Sequence, residues 1–122
     1  MWGPVLAHMA ALYWISSLSD PGELPPGVSD KVAHFVAYAV LGTLALRACA
    51  GGRWVGVTGR AAVRAAGLAA AYGAFDEIHQ RFTVGRHSSM ADWVADALGA
   101  CAAVTLGLVL ARFARRLKRR DV

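Results

Sequence analysis

Charge is scarce in this sequence. Asp, Glu, Lys and Arg make up 17% of its 122 residues, where a soluble domain carries about a quarter. No long helical stretch is polar enough to present a whole face to water, which argues against a soluble bundle. Cysteine is nearly absent. Cys49 and Cys101 both fall in or beside apolar blocks and away from any oxidising location, so no structural disulfide is expected. No metal-type cysteine spacing occurs either. The chain has no serine elbow, no Walker pattern and no dinucleotide fingerprint, and those chemistries are disfavoured. The first residues lack a basic stretch and a small-x-small cleavage site. Residues 1–18 are therefore expected to be a retained helix and not a signal peptide.

What is abundant is apolar: 57% of the residues are hydrophobic and the mean hydropathy is +0.42. These residues come in four blocks, Trp2–Leu18, Val32–Cys49, Ala61–Ile78 and Met90–Phe113. A span needs about 20 mostly apolar residues, with a range of about 17–25, so the first and third blocks are marginal. The expected fold is all-α, an integral membrane bundle of four transmembrane helices. It forms one domain over residues 1–122, with helices over 2–18, 32–49, 61–78 and 90–113 and a basic tail over 112–122 that extends the last helix into water. The connection Ser19–Ser29 carries Pro21, Gly22, Pro25, Pro26 and Gly27 and reads as an extended turn. The connection Ala50–Arg60 is glycine-rich, and His79–Ser89 is polar with Gly85 near its end. Gly99, Ala103 and Gly107 on the fourth block, and Gly67, Ala70, Ala71, Gly73 and Ala74 on the third, allow close helix packing. The same small residues would also serve a homo-oligomer.

The net charge of +5 raises a nucleic-acid reading, which its distribution excludes. Arg47, Arg53, Arg60 and Arg64 surround the second connection. Arg112, Arg115, Arg116, Lys118, Arg119 and Arg120 form the tail. Seven of the eight acids (Asp20, Glu23, Asp30, Asp76, Glu77, Asp92 and Asp96) lie at the other ends of the blocks. This is the positive-inside pattern of four spans with both termini in the cytoplasm. It predicts a multi-pass membrane protein, with membrane lipids as partners and no nucleic acid. The basic tail suits anionic head groups and anchors the topology.

That topology brings three polar stripes to the outer face. Asp30, His34 and Tyr38 are spaced by four and share one face of the second helix, with Lys31 beside them. Asp76 and Gln80 share a face of the third, with Glu77 about 100° away. Asp92 and Asp96 share a face of the fourth, and Ser16 and Ser17 sit near the outer end of the first. Some of these have structural readings. Ser29 or Asp30 fits an N-cap, Ser89-x-x-Asp92 fits a capping box, and Tyr38 fits an interfacial aromatic. His79 and His87 read as loop residues. For His34, Asp76 and Glu77 the functional reading is stronger, because ionisable groups at membrane depth are functional by default. Lys31, Arg81 and Arg86 can hold an anion, Arg in bidentate fashion. His34 can exchange a proton near neutral pH, oriented by Asp76 or Glu77 or working beside them.

Ser16-Ser17, Asp30-Lys31-x-x-His34-x-x-x-Tyr38-x-x-Leu41-Gly42 and Asp76-Glu77-x-x-Gln80-x-Phe82-x-x-Gly85-Arg86-x-x-Ser89-x-x-Asp92-x-x-x-Asp96-x-x-Gly99 together resemble the VanZ-like family of small bacterial membrane proteins. The likeness extends over residues 12–107. Val84 stands where that family usually has proline, and Asp96 where it usually has asparagine. The resemblance implies a four-helix membrane protein of the cell envelope. The family's name comes from a member linked to glycopeptide (teicoplanin) resistance, and a likeness to enzymes that process lipid head groups has been suggested for it.

The polar cluster and the resemblance lead to one expectation. The chain would be a lipid head-group hydrolase or transferase, acting at the outer membrane face on a lipid phosphate or a lipid-linked cell-envelope intermediate. His34, Asp76 and Glu77 would be catalytic. Lys31, Gln80, Arg86, Tyr38 and Asp30 would bind substrate, and Ser16, Ser17, Asp92 and Asp96 would support them. The alternative is a non-catalytic membrane protein that binds a lipid or a glycopeptide antibiotic, or that organises envelope partners. No cofactor is required by the first reading. A metal-assisted variant would use Mg²⁺ or Mn²⁺ on oxygen ligands from Asp92, Asp96, Asp76 and Glu77 together with His34.

Overall fold

The computed structural model describes residues 1–121. Among these it has four α-helices and no strand: α1 (Gly3–Ser17), α2 (Asp30–Cys49), α3 (Gly59–Gln80) and α4 (Met90–Arg120), with a short 3-10 turn at Trp54–Gly56 before α3. Each helix start has a local cause. Pro4 lies in the first turn of α1, where its missing N–H costs nothing. Ser29, Thr58 and Ser89 cap α2, α3 and α4, each accepting a hydrogen bond from the backbone N–H three residues on. Two helices therefore begin earlier than their apolar blocks. α3 also runs later, to Gln80, so His79 is a helical residue and not part of the loop. α4 continues without a break through the basic tail.

Directions follow from the contacts. Along α2 and α4, Lys31 meets Asp92, His34 meets Asp96, Gly42 lies on Ala100 and Leu46 lies on Gly107. The two helices run the same way. Along α1 and α3, the Tyr72 hydroxyl donates to the Met9 carbonyl (2.6 Å) and Ser17 Oγ meets His79 Nε2 (3.0 Å). Those two also run together. α3 and α4 are antiparallel, since Trp93 Nε1 donates to the Ala70 carbonyl while the Ser89 N–H donates to Glu77. Neighbours in sequence thus alternate up and down. The C-terminal ends of α1 and α3 meet the N-terminal ends of α2 and α4, and the acidic stripes collect at that end.

The α2–α4 seam is built on small residues. A Cβ placed on Gly42 would lie 2.9 Å from the Ala100 carbonyl oxygen, and one on Gly99 would collide with the Phe35 carbonyl. Backbones can approach this closely only where a side chain is missing. Below the polar end, Ala45, Leu46, Val57, Ala61, Ala65 and Val104 form one apolar cluster, and Val5, Leu41, Ala69 and Ala100 with Tyr38 form another.

The distribution of side chains is inverted relative to a soluble bundle. Asp76, Glu77, Gln80, Asp92, Asp96 and Ser16 are buried, while Trp14, Val36, Val63, Ile78, Leu98 and Leu106 are exposed. Two helices, α2 and α4, are long and apolar enough to cross a membrane, with mean hydropathy of 1.6 and 2.0. α1 has 15 residues, below the about 17 that spanning needs. α3 has 22 residues but includes Arg60, Arg64, Asp76 and Glu77.

Candidate functional site

The site is assembled by two rungs between α2 and α4. His34 Nδ1 is 2.8 Å from Asp96 Oδ1, and Lys31 Nζ bonds Asp92 Oδ1. The i to i+4 spacing of Asp92 and Asp96 puts both on the face of α4 turned to α2, and Lys31 and His34 are one turn apart on the facing helix. The residue that holds His34 is therefore Asp96, where the sequence alone suggested Asp76 or Glu77. The other ring edge of His34, at Nε2, lies 3.8 Å from Asp30 Oδ1.

Glu77 approaches from α3. Its Oε2 accepts the Ser89 N–H at 3.0 Å. In a capping box that N–H would be bonded by the acid of the same helix, here Asp92. Glu77 fills that role from another helix, and Asp92 is left to pair with Lys31. Asp76, one residue back, faces elsewhere: its Oδ2 accepts from Gln80 Nε2 at 3.2 Å. Gly73 is one turn before it. A Cβ on Gly73 would lie 3.2 Å from both Asp96 and the Tyr38 ring, so the absent side chain of α3 makes room for them.

Among the described residues, five buried side-chain atoms at this end have no hydrogen-bond partner: Ser16 Oγ, Tyr38 Oη, Asp76 Oδ1, Glu77 Oε1 and Asp96 Oδ2. They come from all four helices. Buried polar atoms are nearly always paired, so five orphans at one end of a small bundle set that end apart.

A cavity of about 620 Å³ reaches this cluster. Its lining mixes apolar residues, Leu12, Ile15, Leu24, Ala33 and Ala37, with polar ones, among them Ser16, His34, Tyr38, Asp76, Gln80 and Arg86. A smaller chamber of about 220 Å³ adjoins it and adds Gly85, His87 and Asp92. Asp30, His34, Gln80 and Arg86 line both chambers. Arg86 reaches there because of Gly85, which has φ +81° and lies so close to the Ser19 carbonyl that a Cβ would be 2.9 Å from it. Only glycine takes that conformation without strain. The close approach sets the α3–α4 loop against the α1–α2 connection, and Arg86, the next residue, lines the cavity. Among the described residues Arg86 pairs with no carboxylate, whereas Lys31 is paired with both Asp30 and Asp92.

Ser17 stands apart. It is exposed, bonds to the Tyr13 carbonyl (2.7 Å) and meets His79, which stacks on the Tyr13 ring with centroids 4.5 Å apart. Arg81 turns away as well, donating to Ser88 Oγ. The residues that spacing did not single out are Pro21, Gly22, Glu23 and Leu24 of the first connection, and the apolar lining. An apolar lining carries no sequence signal within an apolar chain. The closing of the connection over the site was signalled only by the density of prolines and glycines.

Residues 5–113 match the family model described as VanZ/LLP1. The chain belongs to the VanZ/LLP1 family. No curated protein matches it, and no solved structure does. The matched span of this VanZ/LLP1 chain includes every residue of the cavity and both rungs. Family membership and two membrane-length apolar helices together fit a membrane protein.

Proposed function

We propose that this VanZ/LLP1 protein is an integral membrane enzyme acting on a lipid phosphate head group, or on a lipid-linked cell-envelope intermediate, at the outer face of a bacterial cytoplasmic membrane. All four helices would span, with both termini in the cytoplasm. The charge asymmetry supports that orientation: the arginines near Arg53 and the tail lie at one end of the bundle and the acidic cluster at the other.

One observation carries the reading. A cavity lined by both apolar and polar residues adjoins a smaller chamber, and the arginine that lines both has no carboxylate partner among the described residues. That arrangement matches an amphiphile, with acyl chain along Leu12, Ile15 and Ala37 and phosphate on Arg86. Guanidinium binds phosphate oxygens in pairs. Tyr38 and Gln80 would bind the remaining oxygens. His34 or Asp76 would take the proton of an attacking water or alcohol as it bonds to phosphorus, and the bond from phosphorus to the departing oxygen would break.

The test compares the lipids of cells that express the wild type or His34→Gln at equal membrane levels. A lipid or lipid-linked precursor that changes only with the wild type is expected, and it names the substrate. Identical profiles from two correctly inserted proteins would reject catalysis and favour a binding or scaffolding role.

A further inference from the structure

We propose that His34, Glu77 and Asp96 hold a first-row divalent cation of the manganese or zinc kind. One ligand atom from each lies within 4.8 Å of the other two. The set combines one imidazole with two carboxylates, each ligand from a different helix, which is the donor chemistry of such ions and not of calcium.

Charge and unmet valence point the same way. Asp96, Glu77 and neighbouring Asp76 are 0%, 6% and 4% exposed, and among the described residues no Lys or Arg pairs with any of them. Each also keeps one carboxylate oxygen with no partner. Isolated buried carboxylates are costly. Hydrogen bonds from His34, Ser89 and Gln80 satisfy only one oxygen of each acid. A divalent ion on His34 Nδ1 would displace the proton shared with Asp96 Oδ1, meet the remaining oxygens of Glu77 and Asp96 and cancel two charges at once. The second nitrogen of His34 is also turned to a carboxylate, with Asp30 Oδ1 3.8 Å from Nε2. Asp30 stands beyond hydrogen-bond distance, on the side where histidine ligands in metal sites commonly carry an outer carboxylate. His34 lines both chambers, so an ion has a route in from the cavity.

The inference deepens the proposed lipid reading. With the ion bound, His34 becomes a ligand and not a base. The ion would polarise a phosphate oxygen or the attacking water, and Asp76, on the cavity wall, would be left to accept the proton.

The purified full-length protein, stripped of metal and held in detergent, would be titrated with Mn²⁺ while free Mn²⁺ is followed by electron paramagnetic resonance. One equivalent should bind. Glu77→Gln and Asp96→Asn should each weaken binding at least tenfold. Pulsed measurement of the bound ion should show a nitrogen coupling that disappears in His34→Gln. Failure of the wild type to bind up to millimolar Mn²⁺, binding without nitrogen coupling, or equal affinity in folded variants would each overturn the proposal. Should a variant not fold, the wild-type nitrogen coupling decides alone. The titration needs no lipid, so its outcome is separate from that of the lipid comparison. Loss of the ion site with a His34-dependent lipid change intact would remove the metal and leave the enzyme.

Discussion

Arg86 and Lys31 are both cations near the same cluster, yet they have different surroundings. Lys31 is engaged by Asp30 and Asp92, while Arg86 lines both chambers. Arg86→Lys keeps the charge and removes the planar fork. On the proposed lipid reading, the expected result is normal accumulation in the membrane with at least a tenfold loss of the wild-type lipid turnover, followed by mass spectrometry of the membrane lipids. Wild-type turnover in Arg86→Lys would show that the arginine contributes only charge. At this scale much was legible in advance. His34, Asp76, Glu77 and Arg86 stand out because charge is rare beside apolar blocks. Their partners were not legible. Spacing by four reports which residues share a face of one helix, and it is silent on which helix that face meets. His34 therefore found Asp96, Glu77 found the Ser89 N–H, and Ser17 turned to His79.

Helix packing rests on positions where a side chain is absent. Gly99 is pressed against the Phe35 carbonyl, and Gly67 has nothing near it. Gly99→Ala should destabilise the bundle by about 1–3 kcal/mol through overpacking at the α2–α4 seam. Gly67→Ala should be neutral or mildly stabilising, given the better helix propensity of alanine. Thermal unfolding of both variants in detergent checks the contrast, and equal melting temperatures would refute the seam. The number of helices and their approximate limits could be read from hydropathy. The shifts at the ends came from capping, since Ser29 and Thr58 start α2 and α3 ahead of their apolar blocks. The close contact at Gly99 was visible only as a small-residue pattern. Such a pattern identifies a packing face without naming its partner.

For the molecule as a whole, the proposed topology is open to direct measurement. In a cysteine-free background, Glu23→Cys and His87→Cys should react with a membrane-impermeant thiol reagent in intact cells. Arg53→Cys and Arg119→Cys should react only after permeabilisation. The opposite pattern would invert the protein and put the cavity in the cytoplasm. The all-helical class was legible because long apolar blocks without alternation leave little else. The number of crossings is less so, because α1 is short and α3 carries charge.

The shortness of α1 has a mechanical consequence. Fifteen residues rise about 22 Å, whereas the hydrocarbon layer is about 30 Å thick. A bilayer meeting the proposed bundle along that flank must thin into a dimple to follow it, at a modest elastic cost per ångström. Leu12 and Ile15 of the same helix line the cavity. A lipid resting in the dimple would already stand lower than its neighbours, with its head group level with the smaller chamber. The curvature of the membrane itself would then deliver the substrate sideways, and no molecule would have to be lifted out of its leaflet.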